Sequence, residues 1–119
     1  MFIRELHDCL EFIAADNCIL RELLHPDKAD LDLRYSLAHA VVKPGDTTRE
    51  HRLRTSEVYY ILEGAGVMHI NGESSPVRPG SAVYIPPRAR QCITNPGPAD
   101  LKFICIVDPA WRKEDEEVL

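Results

Sequence analysis

The chain has 119 residues and a mass of 13.5 kDa, a length expected to form one compact domain and too short for a multi-domain enzyme. Its composition, 45% hydrophobic and 28% charged, excludes a disordered chain, and its net charge of -5 argues against a free-standing nucleic-acid binder. No apolar run approaches the ~18 residues of a membrane span, and MFIRELHDCL lacks the apolar core of a secretory signal.

Cys9, Cys18, Cys92 and Cys105 are far apart with no C-x-x-C pair, which fits reduced thiols in a cytoplasmic protein. Nine prolines and six glycines predict many short strands and turns.

Residues 2–13 place Phe2, Leu6, Cys9 and Ile13 at helix-like spacing, but Ile3 and Leu10 blur the face, so an edge strand or arm competes. The apolar stretch Cys18–Leu24 must end at His25-Pro26, and the polar Asp27–Asp32 reads as a loop. Tyr35–Val42 is rich in β-formers and stops at Pro44-Gly45. Glu57–Leu62 is a strand closed by Glu63-Gly64-Ala65-Gly66, and Val67–Ile70 runs into Asn71-Gly72, a strong hairpin signal. Val83–Ile85, Gln91–Thr94 and Leu101–Val107 complete the strands, the last apolar on both faces. The tail, Asp108–Leu119, with Trp111 and an acidic cluster, reads as a short helix or an arm. Strands at this spacing indicate an all-β sandwich or barrel, with the core at about residues 33–108.

The segment GDTTREHRLRTSEVYYILEG carries Gly45, His51, Glu57 and Gly64 in the register of the first motif of the cupin superfamily, which it resembles. The second cupin motif is matched by Pro79-Gly80, Pro86-Pro87 and Asn95, with Gln91 at its histidine position. The resemblance covers residues 45–95. It implies a double-stranded β-helix (jelly-roll) barrel with short arms at both ends, of the small single-domain kind often described as mannose-6-phosphate isomerase-like.

The resemblance also implies a site inside the barrel. Metal-bearing cupins use three His and one Glu; here His51 and Glu57 remain, Leu53 replaces the second His and Gln91 the third. Imidazole, carboxylate and amide oxygen form a reduced donor set for one divalent metal, Mn, Fe, Co, Ni or Zn. The alternative is a metal-free cluster of His51, Glu57 and Gln91, satisfied by hydrogen bonds, that binds its ligand directly.

Alternation puts Tyr59 in phase with Glu57, as a pocket-lining residue whose hydroxyl is a candidate donor or weak acid. Arg88 and Arg90 are candidates to hold a substrate anion at the barrel mouth, and Leu53 to form an apolar wall of the site. His69 should face outward, as should His39 unless a bulge turns it in as a replacement ligand. His7 and His25 default to the surface. Cys92 and Cys105 read as small hydrophobes, and no G-x-S-x-G elbow or phosphate-cradling loop is present.

These readings lead to a small organic molecule as the partner, either transformed by a metal-dependent enzyme or bound by a non-catalytic module without metal. No nucleic acid or membrane is expected. The resemblance also implies a homodimer, since cupin barrels commonly pair through sheet faces and swapped N-terminal strands, and the apolar N-terminal arm and Leu101–Val107 would suit one.

Overall fold

Alternation of side chains decides which face of each strand is buried. The computed structural model describes residues 1–119 and is built from eleven strands. The first six are β1 (Glu11–Ile13), β2 (Ile19–Leu24), β3 (Ser36–Val42), β4 (His51–Leu53), β5 (Ser56–Glu63) and β6 (Gly66–Ile70). They are followed by β7 (Glu73–Val77), β8 (Ala82–Ile85), β9 (Gln91–Thr94), β10 (Leu101–Asp108) and β11 (Glu116–Val118). A six-stranded sheet runs β1-β2-β3-β10-β5-β8 and a five-stranded sheet runs β11-β4-β9-β6-β7, with antiparallel pairing throughout.

Glu57, Tyr59 and Ile61 of β5, Phe103, Cys105 and Val107 of β10, and Gln91 and Ile93 of β9 are all buried, two residues apart on each strand. The apolar members of this inward set, with Met68, Val77, Ile85 and Leu101, build the core between the sheets. The barrel expected from the sequence is the barrel found.

Two turns show why the glycines and prolines fall where they do. At Asn71-Gly72 both residues have positive φ, 49° and 82°, and Ile70 pairs with Glu73 across a two-residue hairpin. Gly64 has φ +80°, and a Cβ there would overlap the Asp100 carbonyl oxygen, so only glycine lets these two segments pass. Buried Asn95 acts as a staple: its Nδ2 donates to the carbonyls of Val42 and Ala99, and its Oδ1 accepts from Gly97 N.

Several local expectations change. Residues 2–13 form a 3-10 turn at Leu6–Asp8 and then edge strand β1, because β2 offers a hydrogen-bonding partner that an isolated short helix would lack. The tail contains a 3-10 turn at Lys113–Asp115, but its end is strand β11, which pairs with β4 and extends the five-stranded sheet. The sheets therefore reach from Glu11 to Val118, beyond a barrel at 33–108. Strand β7, Glu-Ser-Ser-Pro-Val, has almost no β-former signal and exists because the hairpin lays it beside β6. Strand β10 buries one face fully; its other face (Lys102, Ile104, Ile106) is half-buried on the outside of the six-stranded sheet.

His25, expected at the surface, is buried: its Nδ1 accepts from Asp27 N, so Nε2 carries the hydrogen and donates to the Trp111 carbonyl at 2.7 Å. This bond ties the end of β2 to the C-terminal segment. His7 is exposed. His69 faces outward, bridging Ser74 and Thr94. His39 also lies on the outer face, opposite Ile104 and Arg21, and takes no part in the site.

Candidate functional site

One end of the space between the sheets is left open as a cavity of about 450 Å³. Its walls are mostly apolar: Phe12 and Leu20 from the N-terminal strands, Leu53 from β4, Phe103 and Val107 from β10, and Trp111. His51, Glu57 and Tyr59 project into it from β4 and β5, as the two-residue alternation requires.

His51 is held by its backbone neighbour. Its Nδ1 lies 2.8 Å from the Arg49 carbonyl. A carbonyl only accepts, so Nδ1 carries a hydrogen and Nε2 is the ring atom left for chemistry. That nitrogen makes no hydrogen bond within the chain; the nearest opposite charge is Asp16 Oδ2 at 3.7 Å.

Asp16 reaches this position because the turn between β1 and β2 is fixed at both ends. Its Oδ1 accepts from Cys18 N at 3.0 Å, and its backbone carbonyl accepts from Arg49 N at 2.8 Å.

Glu57, Gln91 and Tyr59 form a buried chain. Gln91 Nε2 donates to Glu57 Oε1 at 3.0 Å, and the Tyr59 hydroxyl donates to Gln91 Oε1 at 3.1 Å. The second carboxyl oxygen of Glu57 takes no hydrogen bond from the chain. Burial pushes the Glu57 carboxyl up to about 8; the Gln91 bond opposes this, while Asp16 and Glu116 add to it. Burial, then Glu57, also hold the Tyr59 hydroxyl well above its usual range. Below about pH 8 Glu57 is thus a neutral acid that lines the same cavity as the His51 imidazole, so the cavity wall can both donate a proton and accept one.

Glu116 of β11 also lines the cavity, placed opposite Leu53 by the β11–β4 pairing. Burial raises its pKa, His51 opposes that shift, and Asp16 adds to it. Asp16, Glu116 and Trp111 are the site residues that sequence reading missed. Asp16 lies in a turn without periodicity, and Glu116 is placed only by a long-range strand pairing.

Arg88 and Arg90, candidates for holding a substrate anion, are exposed and do not line the cavity. Arg88 adopts φ +66°, in the left-handed turn that precedes β9. Cys105 lines the cavity as a protonated thiol, its pKa raised chiefly by burial, and Cys92 lies on the outer face opposite His69.

A family model described as the Cupin domain (Cupin_2) matches residues 38–107. The chain is a cupin. MJ1618 of Methanocaldococcus jannaschii is 42% identical to this cupin over 109 residues, 91% of this chain and 86% of that protein. An oxalate-binding protein of Thermotoga maritima is 33% identical over 88 residues, 73% of this chain and 68% of its own. Among solved structures, the Streptomyces nucleoside dehydratase Pac13 superposes with a TM-score of 0.80 at 20% identity, covering all of this cupin and 91% of its own chain. That likeness is one of fold.

The donor set inferred for a divalent metal does not fit this cupin as it is folded. Gln91 does not line the cavity, and its amide is engaged at both ends, Oε1 by Tyr59 and Nε2 by Glu57. Leu53 offers no lone pair, and nowhere in the chain do three His, Cys, Asp or Glu side chains converge in a metal-holding arrangement.

Proposed function

We propose that this cupin binds a small organic molecule in the cavity between its sheets, using His51 and Glu57 as its polar contacts and proton-transfer pair. The observation that carries this reading is the pair of unsatisfied atoms, His51 Nε2 and the second oxygen of Glu57, on buried residues at an otherwise apolar cavity. Tyr59 and Gln91 orient Glu57 from behind.

A ligand-observed NMR screen with a fragment library tests the reading. Fragments should bind, and His51→Ala should weaken them by about tenfold or more, the value of a buried hydrogen bond to a polar ligand. A library that binds neither protein, or both equally, would sink it.

The His51 tautomer favours a second reading. An imidazole whose Nδ1 is tied to a carbonyl presents Nε2 in the form a metal accepts. If one divalent transition metal is bound (Mn, Fe, Co, Ni or Zn), the Gln91 amide must let go of Tyr59 or Glu57. Elemental analysis of protein purified without a metal-affinity step separates the two readings: about one ion per chain, lost on His51→Ala, supports the metal, and a content far below one supports direct binding.

We also propose a homodimer through the outer face of the six-stranded sheet. Tyr60, Leu62 and Tyr84 are exposed there beside half-buried Val58, Ile104 and Ile106, while Lys102 and Glu63 supply both signs of charge. A two-fold axis lets such a patch cover its own copy. Light scattering should return twice the 13.5 kDa chain mass, and Tyr60→Glu with Tyr84→Glu should return the monomer. A wild-type monomer at high concentration would refute the interface.

A further inference from the structure

The charges around the cavity say what kind of molecule it suits. Four carboxyl groups line it: Asp16, Glu22, Glu57 and Glu116. Two lysines do so as well, but Lys28 is ion-paired with Glu22, and Lys113 is an exposed residue of the 3-10 turn. The inner group, Asp16, Glu57 and Glu116, has no lysine or arginine partner, and the arginines that would suit an anion, Arg88 and Arg90, lie outside. His51 is the one basic side chain among them. It is 3% exposed, lines the cavity, and its Nε2 is unbonded. Asp16 and Glu57, each 7% exposed, likewise keep one carboxyl oxygen free of hydrogen bonds from the chain. A buried carboxyl cluster with open lone pairs is stabilised by a donor that carries positive charge.

We propose that the cavity selects an organic ammonium ion, whose N–H groups are received by Asp16, Glu57 and Glu116 and whose apolar body lies against Phe12, Phe103 and Trp111. The ammonium group supplies up to three donors, enough for the open oxygens of Asp16 and Glu57 and for the Glu116 carboxyl, which also meets the Trp111 side chain. The aromatic walls suit the carbon skeleton and add attraction for a cation near a ring face. A bare metal ion would leave these walls without a function, and no three of these side chains converge closely enough to hold one. This inference rests on the binding reading above and adds the sign of the ligand's charge. It also separates this chain from its relative named for oxalate, because a dianion would meet the carboxyl groups directly.

Three probes of nearly equal shape and different charge provide the test: phenethylamine, 2-phenylethanol and phenylacetate, titrated calorimetrically at pH 9 with a chelator present. Phenethylamine should bind about tenfold or more tighter than the alcohol, and phenylacetate should be the weakest. Asp16→Asn and Glu116→Gln, which keep side-chain shape, should each reduce the amine's advantage severalfold while weakening the alcohol far less. Phenylacetate binding as well as phenethylamine would overturn the charge preference and leave the binding reading standing. An amine whose affinity ignores both substitutions would overturn the assignment of these carboxyl groups. Silence from all three probes would overturn the ammonium proposal, and the fragment screen would then decide the binding reading by itself.

Discussion

With the cavity empty, the wild-type chain should lose stability as pH rises from about 4.5 to about 8, and Glu57→Gln should remove most of that loss. The sign follows from where the proton sits. Below pH 4.5, Glu57 is protonated in both the folded and unfolded chain, so it contributes no difference. Between 4.5 and about 8 the unfolded chain ionises while the buried carboxyl stays neutral, so unfolding releases a proton and rising pH favours it. Above about 8 the folded chain must hold a buried carboxylate, and the loss is complete. A shift of this size corresponds to roughly 4–5 kcal/mol, a large fraction of a small domain's stability of roughly 5–15 kcal/mol.

Glu116, raised by burial in the same direction, adds a smaller slope that Glu57→Gln leaves in place. Glutamine keeps the shape of the side chain, and its amide oxygen can still accept from Gln91 Nε2. Urea midpoints at several pH values in chelator-containing buffer measure the effect. Parallel curves for the two proteins would mean that Glu57 is hydrated or already neutralised by a cation. A bound ammonium ion should restore the wild-type protein at alkaline pH, linking this experiment to the ligand's charge.

Much of this site was legible in the sequence because it obeys short-range rules. His51 and Leu53 share a face of one strand, as do Glu57 and Tyr59 of the next, and period-two alternation carries all four to the cavity. The turns were legible for the same reason: Gly64 and Asn71-Gly72 occupy backbone conformations that few other residues tolerate. Gln91 sits where its position predicts, buried between the sheets, but its role depends on which partners surround it. Both faces of its amide are taken by residues from β5, a strand in the opposite sheet.

What could not be read locally was placed by distant pairing. Glu116 belongs to a three-residue strand that forms only against β4. Trp111 is held there by the His25 bond to its carbonyl, across 86 residues of sequence. Asp16 depends on the Arg49 amide, which donates to its carbonyl. No periodicity marks any of the three, yet together they add two carboxyl groups and an indole to the cavity wall.

Phe103→Ala should be the most damaging single truncation, because one ring serves the core and the cavity at once. Phe103 is 1% exposed in the middle of β10, and its ring centroid lies 4.4 Å from that of Tyr59. Truncation removes the buried ring and leaves a void, with an expected cost of about 3–5 kcal/mol. Phe103→Leu, which keeps most of the volume, should cost clearly less. Because Phe103 also lines the cavity, the void opens into the binding space instead of collapsing. Tyr59 loses the surface that fixes its ring, which loosens the chain from Tyr59 through Gln91 to Glu57. The truncated protein should therefore be rescued by small aromatic molecules that fill the space: benzene or toluene should raise its melting temperature more than that of wild type, through binding to the folded state alone. Urea denaturation gives the cost, and thermal melts with and without toluene give the rescue. A loss below about 1 kcal/mol would show that the ring is not part of the core. A full loss with no rescue would show that the void closes, and that the wall of the cavity can move.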